Sequence, residues 1–485
     1  MKGYRLFAIG AASALILLST IGASANVPLT QISSDPFTNS TSQHATQVEP
    51  DSYSAGSTIV STFQSGRFTD GGSSDIGWAT STDNGTTWTH GFLPGITPYT
   101  SPAGSFDRVS DPSVAYDPKH NVWLINTLPL LNSPSLHGAG VLVSRSTDGG
   151  LTWGNPVTVP IGGATDTDKN WTVCDTRATS PFYGNCYTEW DDHGAGNLIQ
   201  MNTSTDGGLT WGAPQSTAQA IAGIGGQPVV QPNGTVVVPL DNAFETAVGA
   251  FTSTNGGGSW GNVVTIATVR HHTEAGNLRS GALPTAEVDG AGNVFLAWSD
   301  SRFEKHGAAN DIVFTTSSNG VTWSAITRIP LDRVGSGVDH FIPGIAVDKG
   351  TSGSTAHVAL TYYFYPVSNC STSTCQLDVG FTSSTNGGAT WTASTMLAGP
   401  MTVTWLANTT QGFMVGDYIS TSFAGGLAHG VFAVATANSG TVFNEATFTN
   451  AAGLSGASSA TIAADRPFVY GAGNRAIPAT PSTWR

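Results

Sequence analysis

The chain is poor in charge. Only 10% of its 485 residues are Asp, Glu, Lys or Arg, and 18 Lys and Arg stand against 32 Asp and Glu, a net charge of −14. So few cations on so acidic a chain exclude nucleic acid and an anionic membrane surface as partners. There are only four cysteines, in two short intervals: Cys174 with Cys186, and Cys370 with Cys375. In an exported protein each interval reads as a local disulfide, the alternative being a buried free thiol. No histidine stands beside them at ligand spacing, so no metal and no cofactor is expected. G-x-S-x-G, HExxH and phosphate-loop motifs are absent, which leaves serine-hydrolase, zincin and nucleotide chemistry without support. Long apolar runs are also missing. The one from Leu6 to Leu18 follows Lys2 and Arg5 and precedes Ala23-Ser24-Ala25. That pattern reads as a signal peptide over residues 1–25, too short for a resident span, so a soluble, secreted, extracellular protein with no membrane span is expected.

What the chain has in abundance is glycine, 59 residues of it, and one phrase written six times. "STDGGLTW" runs from Ser146 to Trp153 and returns unchanged from Ser204 to Trp211. Variants stand at Ser81–Trp88, Ser253–Trp260, Thr316–Trp323 and Ser384–Trp391, and the closing tryptophans are 49 to 68 residues apart. A strand-like run precedes each copy, as in "GVLVSRS" and "DIVFTTS", and two more apolar runs lie upstream of it. Each unit therefore reads as three short strands, the phrase, and a fourth strand. Four-stranded units of this length, repeated radially, make an all-β propeller. The phrase suits a tight turn: its Asp accepts backbone N–H groups, its glycines permit positive φ, and its Trp packs into the blade. Asp83, Asp148 and Asp206 fill the acceptor position, and Asn255 and Asn386 keep the acceptor without the charge.

These six copies resemble the Asp boxes of the sialidase-like, BNR-repeat proteins, and the resemblance covers nearly the whole mature chain. It implies that the boxes lie on the face opposite the active site and are structural. It also implies glycosidase chemistry in which a glutamate activates a tyrosine nucleophile, an aspartate serves as acid/base, and three arginines clamp a carboxylate. The family's Phe/Tyr-Arg-Ile-Pro motif is absent; "HFIPG" at 340–344 keeps its frame without the arginine. Sialidases resemble six-bladed propellers, but a seventh unit without a box follows the sixth, as "FMVGDYISTSFAGG", "HGVFAVATAN" and "TVFNEATFT". Seven blades are expected over residues 26–450, with six as the alternative. Residues 451–485 read as a C-terminal tail, loose over its Ala/Ser/Gly-rich part from about 451 to 464. Either "VPLTQIS" at the N-terminus or "RPFVYGAG" in the tail could close the ring.

If the boxes mark one face, polar residues gather on the other. Glu49 and Asp51, Arg108 and Asp111, Asp168 and Lys169, Gln227, Arg279, Asp339 and His340, and Asp417 and Tyr418 enter the innermost strands. Arg67, Glu189 with Asp191, Asp241, and Asp300 with Arg302 leave the second strands. Each alone reads as a solvated loop residue; convergence on one mouth is what makes a site. Tyr187 and Glu189 lie on the same side of a strand and match the Tyr–Glu pair that the resemblance implies, so Glu189, Tyr187 and Asp111 are the catalytic candidates. Arg67, Arg108, Arg279 and Arg302, with Asp300, His340, Asp417 and Tyr418, are the substrate-binding candidates, because guanidinium groups bind carboxylates in bidentate fashion. The arginines could instead pair with neighbouring aspartates, as Arg302 with Asp300. His271 and His272 in "RHHTEAG" read as solvent histidines or as a general base. Three functions stay open. A monomeric, secreted, sialidase-like glycoside hydrolase acting on an acidic saccharide leads. A polysaccharide lyase on the same fold and a non-catalytic carbohydrate- or protein-binding propeller follow it.

Overall fold

The structure, a computed structural model, describes residues 27–456, 461–463 and 484. The signal-peptide reading and the "RPFVYGAG" strand therefore lie outside the described residues. Among the described residues there are strands and short 3₁₀ turns but no α-helix. Among those same residues no helix is long and apolar enough to cross a membrane. The strands form antiparallel meanders that follow one another along the chain. The first is Gln47–Ala55, Thr58–Arg67, Ser73–Ser81 and Thr89–Phe92. The second opens with Arg108–Asp117, the third with Thr167–Cys174, the fourth with the short pair Gly223–Ile224 and Val229–Val230, the fifth with Thr285–Val288 and the sixth with Asp339–Val347. The last comprises Ser420–Ala424, Leu427–Ala435 and Glu445–Asn450, with Leu29–Gln31 pairing antiparallel along the outer edge of Glu445–Asn450. An N-terminal strand thus completes the sheet that the C-terminal strands begin, leaving that edge covered.

At five junctions the opening strand of one meander hydrogen-bonds to that of the next. Val114 N donates to Asp51 Oδ2 at 2.8 Å, Thr172 N to Ser113 Oγ at 3.1 Å, and Ile345 N to Thr285 Oγ1 at 3.4 Å. Thr421 Oγ1 donates to the Gly344 carbonyl at 2.8 Å, and Ser52 Oγ to Ser420 Oγ at 2.9 Å, which joins the last meander to the first. The apolar side chains of adjoining sheets fill the space between them. Ile312 and Phe314 of the fifth meander, for instance, share a buried cluster with Val358, Leu360 and Trp391 of the sixth.

The repeated octapeptide makes the turn that its residues foretell. Asp83 Oδ1 accepts Thr86 N at 3.1 Å and Thr87 N at 2.8 Å, and Ser81 Oγ accepts Gly85 N at 2.9 Å. The Thr87 amide and hydroxyl, ahead of the other contacts, hold the Asp83 carboxyl down at about 2. Asp148, Asp206, Asn255 and Asn386 repeat the contact, each accepting the amide four residues on at 2.9–3.0 Å. Gly150 takes φ +84°, and a Cβ there would lie 2.7 Å from Val60 of the first meander, so the turn packs on its neighbour only because that position is bare. Trp391 is fully buried, and Trp153, Trp211 and Trp260 are nearly so. Strand register puts all of this at one end. Ala55 pairs with Thr58 across the first hairpin and Ile59 pairs with Ser81, so the octapeptide lies at the opposite end of the strands from Glu49.

Both cysteine pairs are disulfides, Cys174–Cys186 and Cys370–Cys375, which is compatible with an extracellular protein. In the tail, Leu454 exchanges backbone hydrogen bonds with Ala428, and Thr461–Ala463 pairs with Thr390–Thr392, so part of the segment expected to be loose is in strand pairing.

Candidate functional site

At the end of the strands away from the octapeptide turns, three successive opening strands carry the same irregularity. The ladder slips between Val48 and Asp51, between Ser110 and Ser113, and between Asp168 and Trp171. In each bulge a charged residue takes positive φ: Glu49 at 53°, Asp111 at 45° and Lys169 at 48°. Non-glycine residues adopt this conformation at a cost, and bulges re-aim side chains. Here the three are aimed at one another. The Lys169 ammonium lies 3.8 Å from Glu49 Oε1 and 3.9 Å from Asp111 Oδ2, and it hydrogen-bonds to Asp417 Oδ2. Arg279 holds the same Asp417 in a fork, Nε to Oδ1 at 2.8 Å and Nη2 to Oδ2 at 2.5 Å. A fourth bulge, at Ile342 with φ 48°, is the apolar counterpart in the sixth meander.

The carboxyls of this cluster do not share one protonation state. Burial, opposed by Lys169 and reinforced by Asp417 and Asp111, pushes Glu49 up to about 8. Burial works against the charge on Asp417 too, but Arg279 and Lys169 outweigh it and hold that carboxyl far below the usual range. Burial and then Asp111 raise Asp168 to about 6. Arg67 lies beside the group, buried, donating to the Phe68 and Gly72 carbonyls. Tyr418 is buried, its hydroxyl on the Pro112 carbonyl at 3.1 Å and its ring edge-on to Trp171 at 5.0 Å. Glu49, Asp111, Lys169, Arg279, Asp417 and Arg67 are thus gathered from the first three meanders and from the loops that lead to the fifth and the last.

Other candidates lie elsewhere. Tyr187 is fully buried in the apolar core, its ring 6.2 Å from Trp260, and burial raises its pKa. It is part of the packing around an octapeptide tryptophan. Glu189 is also fully buried, against Gly226, and burial followed by Asp191 raises it well above the ordinary value. They stand two positions apart on one strand, and that step leads from the octapeptide side of the core toward the bulges. Arg108 pairs with Asp70 and stacks over Phe68 at 4.2 Å. Arg302 pairs with Asp300 at 2.6 Å and donates to the Thr268 carbonyl. These two arginines have local partners and do not share Arg279's carboxylate. His340 is buried beside Tyr362 and Phe364, and burial lowers it to about 4. It comes close to Asp311 and Asp332, but Arg328 bonds to both aspartates, so that group is an ion-pair site. His271 pairs with Glu274 and His272 with Asp339, which ties their loop down. Asp51 and Gln227 serve the joints between opening strands. Asp191 takes the Asn197 amide, and Asp241 is buried at the end of its strand.

No family model and no curated protein matches the chain. Solved structures are similar at low identity. A protein of unknown function from Dyadobacter fermentans is 16% identical over 78% of this chain and 98% of its own, with a TM-score of 0.47. A Hadza microbial sialidase is 17% identical, also with a TM-score of 0.47, over 66% of this chain and 64% of its own, so the match spans less than two thirds of that protein. An α-L-arabinofuranosidase from Fusarium graminearum is 12% identical over 78% of this chain and 98% of its own, at 0.44.

Proposed function

We propose that the seven meanders are the blades of one closed propeller, that the octapeptides are Asp boxes, and that the protein is a secreted, monomeric glycoside hydrolase of sialidase-like type. Its substrate is an acidic saccharide, taken at the mouth opposite the boxes. The observation that carries this reading is the convergence of Glu49, Asp111 and Lys169 from three identical, strained bulges. Strained backbone conformations cluster at active sites and ligand clamps. Cleaving a glycosidic bond needs a proton for the leaving oxygen and negative charge near the developing oxocarbenium ion. Glu49, protonated at neutral pH, supplies the first, and Asp417, ionised, supplies the second. Asp111 is the third carboxyl in reach of the same ammonium. Arg279, Lys169 and Arg67 offer the cations that an acidic sugar needs in a protein of net charge −14.

One observation favours the rival reading, a non-catalytic propeller. Arg279 and Lys169 are already engaged by Asp417, so a ligand carboxylate has to displace it or share it. A panel of acidic and neutral glycans, incubated with the full-length mature protein, separates the readings. New reducing ends identify a hydrolase, an ultraviolet-absorbing unsaturated sugar identifies a lyase, and binding without turnover identifies the non-catalytic protein. Absence of both binding and turnover across the panel defeats the carbohydrate reading altogether.

A further inference from the structure

A second concavity lies on the same axis at the other end. It is narrow, about 60 Å³, and is lined by residues of the opening strands from Asp51 round to Ser420. It widens past Tyr53, Glu287 and Lys349 into a neighbouring hollow of about 360 Å³, and the two together reach the lower range of small-ligand pockets. The neighbouring hollow that continues it reaches the hairpin glycines Gly56, Gly425 and Gly426, so the well opens on the octapeptide side. Trp171 lines it and packs edge-on against Tyr418, which stands between the well and the charged mouth.

The polar groups facing this well are not used up by the protein. The Lys349 ammonium sits 4.0 Å over the Tyr53 ring and spends one donor on the Tyr53 hydroxyl at 2.8 Å. Its nearest carboxylate, Glu287 Oε2, is 3.9 Å away, beyond hydrogen-bond reach. The two side chains are 35% and 24% exposed, and the space they are exposed to is the well. Among the described residues the Arg177 guanidinium makes no ion pair; it donates to the Lys349 carbonyl at 3.4 Å. An arginine and a lysine with donors to spare, side by side in a chain with only 18 cations, form a receptor for an anion. The Tyr53 and Trp171 rings beside them offer apolar faces to a ring, and Glu287 and Gln227 offer partners for hydroxyls.

We infer that the axial well is a binding site for a small, hydroxylated, ring-bearing carboxylate, the size of one sugar acid, whose carboxylate is held by Lys349 and Arg177. This site is separate from the mouth and does not depend on any activity there.

Lysine acylation read by mass spectrometry tests it at the residue itself, with D-glucuronate as probe and exposed Lys119 as internal control. Glucuronate at about ten times its dissociation constant is expected to slow acylation of Lys349 by about tenfold, because only the unliganded protein reacts, and to leave Lys119 unchanged. Glucose should not protect, and Arg177→Gln should abolish the protection while circular dichroism stays native. Unaltered Lys349 acylation in glucuronate overturns the inference, as does equal protection by glucose. A Lys349 that resists acylation in the free protein overturns it as well, because the well is then closed to small molecules.

Discussion

Asp417 presents its backbone N–H to Glu49 Oε1 at 3.3 Å while its own carboxylate is held by Arg279 and Lys169. One residue therefore supports a protonated neighbour and remains ionised itself. Burial raises the Glu49 carboxyl to about 8, whereas Asp417, though buried as well, is held far below the usual carboxylate range by Arg279 and Lys169.

This assignment predicts unequal mutants. Glu49→Gln keeps the shape and the neutral charge, so the melting temperature should hold near neutral pH. Loss of a general acid should lower kcat by about 10²–10⁴-fold on whichever glycan is turned over. Equal turnover by the variant and the wild type would remove Glu49 from the mechanism.

Stability should fall as pH rises from acid to neutral. Burial raises Glu49 from 4.5 to about 8, and Asp51, Asp75, Asp311 and Asp378 each from 3.8 to about 7. These groups hold a proton more tightly folded than unfolded. Their contribution is fully present below the unfolded value and is lost as pH rises through the folded one. Asp417, with its pKa lowered, acts in the opposite sense: its contribution is present above 3.8 and lost as pH falls below it. Thermal melts should peak near pH 4–5 and decline toward pH 8, less steeply in Glu49→Gln. A melting temperature that climbs between pH 5 and 8 would contradict this account of the buried carboxyls.

Two arginines should behave differently. Arg279→Ala leaves Asp417 buried with only Lys169 to answer it, a loss of about 3–5 kcal/mol on the scale of broken buried pairs. Acidic-glycan binding should weaken about ten- to a hundred-fold in the same variant. Arg108→Ala breaks a pair whose aspartate is 54% exposed, and should cost about 0–1 kcal/mol with no effect on binding. Urea titration of both variants, with glycan binding measured alongside, checks the contrast; equal losses would refute it.

Frame and function should separate at the octapeptide. Trp391→Ala deletes a fully buried indole and should cost about 3–5 kcal/mol, while activity per folded molecule stays constant. Trp88→Ala removes a half-buried ring and should cost less. Native stability combined with lost turnover in Trp391→Ala would assign the octapeptide a chemical role.

By itself the sequence determined the repeating frame. Ser, Asp or Asn, Gly and Trp at fixed spacing dictate one turn wherever they occur, because the acceptor, its amides and the left-handed glycine lie within eight residues. The cysteine pairs were legible for the same reason: 12 and 5 residues separate the partners. The bulges left a fainter mark, a Pro after the charged residue in "VEPDS" and "SDPSV" and again in "FIPGI", but "DKNWT" lacks it, so Lys169 could not be aligned with them. Which charges meet was decided only by the tertiary structure. Arg279 and Asp417 are 138 residues apart, and Lys169 and Asp417 are 248 apart. Nothing local distinguishes such pairs from Arg302 with Asp300, two positions apart. Tyr187 and Glu189 share a side of their strand, as period-two alternation requires, yet seven residues of strand run from one end of the sheet to the other. Position along that axis assigns the tyrosine to the core beside Trp260, because alternation fixes the side a residue faces and only packing fixes its depth.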